Sequence, residues 1–214
     1  MLGEVFAETI RVFGERIWFA FGLGLAVAAA IGLAAAIRND LVTVAIFTWG
    51  FAALYALAVR YVEGDSVGAA LRLVGARAPV LFVLGLVVTL PLSLGIIDPL
   101  VGLVAAFWLG IMGFAIPVAV TEEATGGFAQ RIAGALRRSV AIGRAAYLHA
   151  VGVVAAFVIV YGILGRLLIS ALGGFADNGL VAAVLITEGF LLPFLFLGLA
   201  VLFFEQRSRA ISSS

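Results

Sequence analysis

The chain has 214 residues, of which 64% are hydrophobic and only 12% are charged, and its formal net charge is +1. Soluble domains are nearer half apolar and a quarter charged, so this composition excludes an ordinary water-soluble domain and indicates a membrane protein. The absence of cysteine excludes disulfides, thiolate metal sites and thiol nucleophiles.

A basic hexapeptide occurs three times along the chain. Arg11–Arg16 reads RVFGER, residues 72–77 read RLVGAR, and residues 131–136 read RIAGAL, at spacings of 61 and 59 residues. A fixed period of this length indicates one structural unit used repeatedly. We therefore expect one membrane domain over residues 1–214, built from units at about 1–60, 61–120 and 121–209.

Each unit contains apolar stretches long enough to cross a bilayer, since about 20 helical residues span the ~30 Å hydrocarbon core. Lipid offers no hydrogen bonds to an open sheet edge, so the stretches should be helical. The sequence predicts an all-α polytopic fold of six transmembrane helices, arranged as three hairpins that each follow an amphipathic interfacial helix. The expected spans are residues 17–37, 41–60, 78–97, 99–120, 146–172 and 180–204. Pro91, Pro117 and Pro193 should kink their helices.

The arginines predict the orientation. All 13 basic residues are arginine, and only Arg38 and Arg166 lie on the side opposite to the other eleven. The positive-inside rule then predicts a multi-pass protein of the cell membrane with both termini in the cytoplasm.

The segments around the repeated hexapeptides have the pattern of amphipathic helices. Phe6, Ile10, Phe13 and Ile17 form an apolar stripe in the first copy. Ser66 in the second copy and Thr125 in the third are placed as helix N-caps. Such helices lie in the interface with their guanidinium groups near lipid phosphates. Six arginines of the second and third copies are the candidate head-group contacts: Arg72, Arg77, Arg131, Arg137, Arg138 and Arg144. The alternative is that they only orient the hairpins.

Two charged residues lie well inside the predicted spans, Arg166 and Glu188. Each is eleven residues from Asp177, so antiparallel packing would bring them to a similar depth, where we expect an intramembrane ion pair. The pair is either a structural link near the outer surface or a proton or cation site. The second possibility suggests a small transporter or permease subunit with a polar path near Glu188, to which Thr48, Thr89 and Thr187 would contribute.

No recognisable catalytic, cofactor or metal motif occurs in the chain. Phosphate-binding loops, nucleophile elbows, dinucleotide fingerprints and zinc motifs are missing, and His149 is the only histidine. We therefore expect no enzyme activity, no cofactor and no metal. The arginines are scattered and balanced by nearby carboxylates, so we also expect no nucleic-acid partner.

Short motifs resemble a known family. Residues 135–139 read ALRRS, with Arg144 and Tyr147 beyond, and residues 203–209 read FFEQRSR. Together with the PVAV motif at residues 117–120, they resemble the membrane domain of glycerophosphoryl diester phosphodiesterases and its YciC-like relatives, mainly over residues 117–209. The phosphodiesterase barrel is absent. The resemblance implies a non-catalytic six-helix membrane protein and transfers no active-site residues.

These observations favour an integral membrane protein without enzymatic function. Its expected partners are membrane lipids at the cytoplasmic leaflet, or a membrane or cytoplasmic protein that binds the same basic segments.

Overall fold

A computed structural model describes residues 2–37, 40–95, 99–122, 126–172 and 186–212. Within these ranges the regular structure is entirely helical, as predicted. The helices are α1 (Leu2–Glu15), α2 (Ile17–Ile37), α3 (Asp40–Glu63), α4 (Val67–Ala76), α5 (Ala78–Gly95), α6 (Pro99–Met112), α7 (Ala115–Thr121), α8 (Phe128–Ala145), α9 (Tyr147–Leu172), a π-helical turn (Thr187–Leu191) and α10 (Leu192–Ser212).

Three of the described helical segments are long and apolar enough to cross a membrane: Val104–Thr121, Tyr147–Leu172 and Gly189–Ser212. A fourth candidate is the pair α4 and α5, whose axes meet at 82°. This bend turns α4 well away from the direction of α5. The length and composition of these helices support a membrane protein, whereas the six spans and their hairpin order stay predictions.

The interior of the bundle is formed mainly by α3 and α10. Residues 51–56 of α3 are all buried, and so are residues 195–200 of α10. The Tyr55 hydroxyl donates to the Leu199 carbonyl at 3.4 Å, and the Phe51 and Phe196 rings meet edge to face at 5.1 Å. α3 and α10 thus form the scaffold on which most of the other helices pack, whereas α6 packs on α5, α8 and α9.

Two of the predicted proline kinks coincide with breaks in helices. Proline cannot donate to the carbonyl four residues earlier, and its ring crowds that carbonyl. For Pro117 this residue is Gly113, and the break between α6 and α7 lies at Gly113 and Phe114. For Pro193 it is Gly189, inside the π-helical turn. The prolines therefore account for the position of both irregularities.

The three predicted amphipathic segments are the helices α1, α4 and α8. Ser66 caps α4 as predicted, because its hydroxyl accepts from the Ala69 amide at 3.3 Å. The prediction of Thr125 as the N-cap of α8 is wrong: the N-cap is Gly127, whose amide donates to the Gln130 side chain at 3.0 Å. The preceding Gly126 has a φ of +96°, which glycine adopts without strain.

Candidate functional site: a basic cavity beside α8

A cavity of about 850 Å³ lies between α8, α7 and the junction of α4 with α5. Its polar lining consists of four arginines, one glutamate and one glutamine, and its apolar lining consists of small and branched side chains. These residues are Arg77, Arg131, Arg137, Arg138, Glu122, Gln130, Ala76, Val80, Val118, Ala119, Gly134, Ala135 and Ala141. We call this space the basic cavity. It combines concentrated positive charge with an apolar wall.

Small residues let α8 approach α6 closely, and this contact positions the cavity. A Cβ atom added at Gly143 would lie 2.6 Å from the Gly110 carbonyl oxygen, so only glycine fits there without a shift. One turn earlier, the buried Ser139 hydroxyl donates to the Ile111 carbonyl at 2.6 Å. The face of α8 that carries Ser139 and Gly143 is therefore attached to the bundle.

Two arginines hold the end of α7 that forms part of the cavity wall. Arg77 donates to the carbonyls of Ala119 and Glu122, the latter at 3.2 Å, and Arg60 donates to the Val120 carbonyl at 3.3 Å. The last carbonyls of a helix have no partner within the helix and form the negative end of its dipole. Arg77 therefore lines the cavity with its guanidinium already engaged in fixing the wall.

Two of the three α8 arginines of the cavity have partners among the described residues, and the third has none. Arg138 pairs through Nε with Glu122 Oε1 at 3.3 Å, and Arg131 Nε donates to the Gly126 carbonyl at 3.0 Å. Within the described part of the chain, Arg137 has no hydrogen bond or ion pair. All three side chains are exposed. The cavity therefore offers guanidinium groups that a ligand in water or at the head-group level can reach.

The structure brings together four of the six arginines that the sequence proposed as head-group contacts: Arg77, Arg131, Arg137 and Arg138. The other two, Arg72 and Arg144, are exposed but are not among the residues of the cavity lining. Sequence reasoning missed Glu122 and Gln130 as cavity residues. Glu122 matches Glu63 at the sequence offset of 59 residues, but this match did not indicate that Glu122 lies beside Arg138.

A second cavity, of about 510 Å³, lies between α1, the end of α3 and α10 and is acidic. Its lining includes four glutamates and four apolar residues: Glu4, Glu8, Glu63, Glu205, Val5, Val62, Val201 and Phe204. Three of these carboxylates have a cationic neighbour: Arg11 is beside Glu8, Arg60 beside Glu63 and Arg209 beside Glu205. The sequence did not predict this cavity, because its residues come from three distant segments.

His149 contacts Glu205, one of the residues that line the second cavity, and the sequence did not reveal this contact. Its Nε2 is 3.2 Å from Glu205 Oε2, and Arg209 contacts the other oxygen of the same carboxylate. The three side chains link the start of α9 to the end of α10. Among the described residues no group of three or more His, Asp or Glu side chains is arranged to hold a metal ion.

The predicted intramembrane ion pair is only partly within the described residues. A Cβ atom at Gly165 would lie 3.2 Å from Thr187 Cγ2. Gly165 and Thr187 immediately precede Arg166 and Glu188, so these two parts of the chain lie at a similar depth. Arg166 is exposed on α9. The Glu188 side chain lies outside the described part of the structure, and the ion pair stays a prediction.

Comparison with protein-family models, with curated proteins and with solved structures finds no match to this chain. The resemblance to the membrane domain of glycerophosphoryl diester phosphodiesterases therefore stays a prediction from short motifs.

Proposed function

We propose that this chain is a non-catalytic integral membrane protein of six spans that binds the anionic head groups of phosphorylated amphiphiles in the basic cavity. The observation that carries the proposal is the gathering of Arg131, Arg137 and Arg138 beside an apolar wall containing Val80 and Val118. Guanidinium groups form strong, charge-assisted hydrogen bonds with phosphate oxygens. Apolar side chains beside them suit the part of an amphiphile that follows its head group.

The charge of α8 supports this proposal over a role in orientation alone. α8 contains four arginines and no acidic residue, and three of the arginines face one cavity. Orientation by the positive-inside rule requires positive charge near a span end but no common cavity. The proposal includes both termini in the cytoplasm, an orientation that the positive-inside rule supports, so that the cavity faces the inner leaflet.

Native mass spectrometry of the protein extracted from vesicles of phosphatidylcholine and phosphatidic acid tests the binding. Replacing Arg137 and Arg138 with glutamine should lower the retained phosphatidic acid by at least about tenfold, since two charge-assisted contacts are lost. The matched control replaces Arg72 and Arg144, which are equally exposed elbow arginines outside the cavity lining. Equal losses in both double variants would show that the arginines act only as general surface charge.

The proposed topology has a direct test because the chain contains no cysteine. Single cysteines placed at Asn39 and Asp98 should react with a membrane-impermeant thiol reagent from the outside of intact cells. A cysteine at Ser208 should react only after the membrane is opened. Labelling of Ser208→Cys in intact cells would overturn the proposed orientation.

Transport near Glu188 is the second candidate function, and one observation favours it. The Thr187 hydroxyl is buried within the π-helical turn and has no hydrogen-bond partner among the described groups. Breaks in transmembrane helices with unsatisfied polar groups are typical of ion paths. Proton flux into proteoliposomes under an imposed pH gradient tests it: a flux abolished by Glu188→Gln and retained in Arg137→Gln would favour transport over head-group binding.

A further inference from the structure

Each copy of the repeated hexapeptide has a glycine three residues after its first arginine: Gly14, Gly75 and Gly134. All three are exposed and lie within helices, and a Cβ atom added at any of them would meet no neighbouring atom within 4 Å. Glycine is less favourable than alanine inside a helix, because it loses more backbone freedom on folding. Close packing, which accounts for Gly143, therefore accounts for none of these three glycines.

Of the three glycines, Gly134 is the one that lines the basic cavity. Gly14 and Gly75 are not among the lining residues of the basic cavity or of the second, acidic cavity. The side chain that is missing at Gly134 thus leaves open space inside the basic cavity, whereas the same substitution at the other two positions would add atoms only to the outer surface.

Two arginines flank Gly134 on the same face of α8. Residues three before and four after a given position share its helix face, and here they are Arg131 and Arg138. Their Cα atoms are separated by seven residues, which is about 10 Å along a helix axis. Helical side chains lean towards the N-terminus, so Arg138 covers the turn that contains Gly134. The open space at Gly134 therefore lies between two guanidinium groups.

Both flanking arginines are held by Nε. Arg131 Nε donates to the Gly126 carbonyl at 3.0 Å, and Arg138 Nε donates to Glu122 Oε1 at 3.3 Å. The terminal nitrogens of these two arginines form no hydrogen bond within the described ranges of the chain. Each guanidinium thus keeps two NH₂ groups that can donate to the oxygens of a phosphate.

We propose that Gly134 admits the ligand of the basic cavity: its missing side chain provides the space in which the phosphate of the head group lies against α8, between Arg131 and Arg138. The inference rests on the proposed function, since it locates the head group within the same site. The glycine of the repeat has this role in α8 because there it faces a cavity that arginines line.

The test measures, for each variant of the intact, detergent-solubilised protein, the Tm and the dissociation constants for short-chain phosphatidic acid and for inorganic phosphate. Gly134→Leu adds volume without adding charge or a hydrogen-bond donor. It should weaken binding of phosphatidic acid by at least about tenfold, the size expected for one lost charge-assisted contact. Its Tm should stay the same or rise, because leucine favours a helix more than glycine does. Gly134→Ala adds only the Cβ atom and should weaken binding by about threefold.

Gly14→Leu is the matched control. Gly14 occupies the corresponding position in the first copy, also has no neighbour within 4 Å of an added Cβ atom, and does not line the basic cavity. Gly14→Leu should therefore keep or raise the Tm and leave the affinity for phosphatidic acid unchanged. A purely structural role of Gly134 would lower the Tm and the affinity together, so weaker binding without a loss of Tm identifies a contact with the ligand.

The possible failures are distinguishable. If the wild-type protein binds neither probe, the proposed function is wrong and this inference falls with it. If Gln at Arg137 and Arg138 abolishes binding but Gly134→Leu binds like the wild type, the head-group site stands and the role of Gly134 is refuted. An equal loss of affinity in Gly14→Leu would also refute it. Inorganic phosphate bound as tightly as phosphatidic acid would refute the amphiphile. Should Gly134→Leu fail to fold, Gly134→Ala decides, and an unchanged affinity in that variant would overturn the inference.

Discussion

The helices α1 and α8, which the sequence predicts to be copies of one repeat, use their faces differently. α1 packs through aromatic rings: Phe6 stacks on Phe157 at 4.4 Å, and Phe13 meets Phe194 edge to face at 5.9 Å. α8 packs through the small residues Ser139 and Gly143. Aromatic rings attach α1 to the bundle, and the cavity that α1 borders is lined by carboxylates, whereas the cavity beside α8 is lined by arginines.

α1 and α8 also differ in their charges. α1 carries three glutamates and one arginine, and Arg11 forms ion pairs with both Glu8 and Glu15. α8 carries four arginines and no glutamate. Carboxylates three or four residues away along a helix neutralise an arginine locally. α1 contains such carboxylates and α8 does not, so α8 is the helix that offers free guanidinium groups to a ligand.

The largest expected effect concerns the aromatic attachment of α1. Phe157 is 1% exposed and contacts both Phe6 and Phe194, so Phe157→Ala should lower the free energy of unfolding by about 3–5 kcal/mol. Phe128→Ala in α8 is the control, since that ring is 51% exposed, and it should cost less than about 0.5 kcal/mol. Denaturant-induced unfolding in detergent micelles measures both. Similar losses in the two variants would contradict the described packing of α1.

One substitution made in both helices sharpens the difference. Gly143→Ala brings a Cβ atom against the Gly110 carbonyl and should destabilise the protein by about 1–3 kcal/mol. Gly14→Ala in α1 meets no neighbour within 4 Å and should be neutral or stabilise by up to about 1 kcal/mol. Thermal unfolding of the two variants gives the comparison, and destabilisation by Gly14→Ala would show that α1 is also closely packed at that point.

The third prediction compares single arginines. Arg137→Gln should weaken binding of short-chain phosphatidic acid about tenfold, because one charge-assisted contact is worth about 1.5 kcal/mol or more. Arg11→Gln should leave that binding unchanged, since Arg11 is paired with its own helix and lies outside the basic cavity. Titration of each purified variant with the lipid measures the effect. A loss in Arg11→Gln as large as that in Arg137→Gln would mean that α1 also takes part in binding.

The helical elements were largely predictable because apolar runs of span length have few alternatives in a membrane. Tyr147–Leu172 lies within one residue of its expected start and ends where expected. Pro117 marked a kink, but the sequence did not show that the expected span at residues 99–120 separates into α6 and α7. Pro117 accounts for the position of that break at Gly113, but hydrophobic periodicity does not report whether a proline bends a helix or interrupts it.

The candidate site was predictable only in part. The arginines of α8 were found because a net positive helix stands out in an apolar chain. Their grouping with Arg77 and Glu122 depends on how α8 lies against α7, and no local pattern encodes that contact. His149 and Glu205 are 56 residues apart in sequence, so their contact was equally hidden.

The smallest expected effect concerns the pH dependence of α1. The hydrogen bond from Arg11 holds the pKa of Glu8 below its ordinary value. A carboxylate with a depressed pKa in the folded state adds stability that is present above its unfolded pKa, about 4.3, and is lost as the pH falls through the folded pKa. Unfolding measured between pH 7 and pH 3 should therefore show a slightly steeper loss of stability at acid pH in the wild-type protein than in Arg11→Gln.

The Glu8 and Arg11 side chains are both exposed, so the difference should disappear in 1 M salt, where the Debye length is about 3 Å. A difference that persists in 1 M salt would mean that the Arg11–Glu8 pair is shielded from solvent. That result would contradict the comparison of the two helices, in which α1 has a solvent-exposed face of ion pairs and α8 has a face that a ligand can reach.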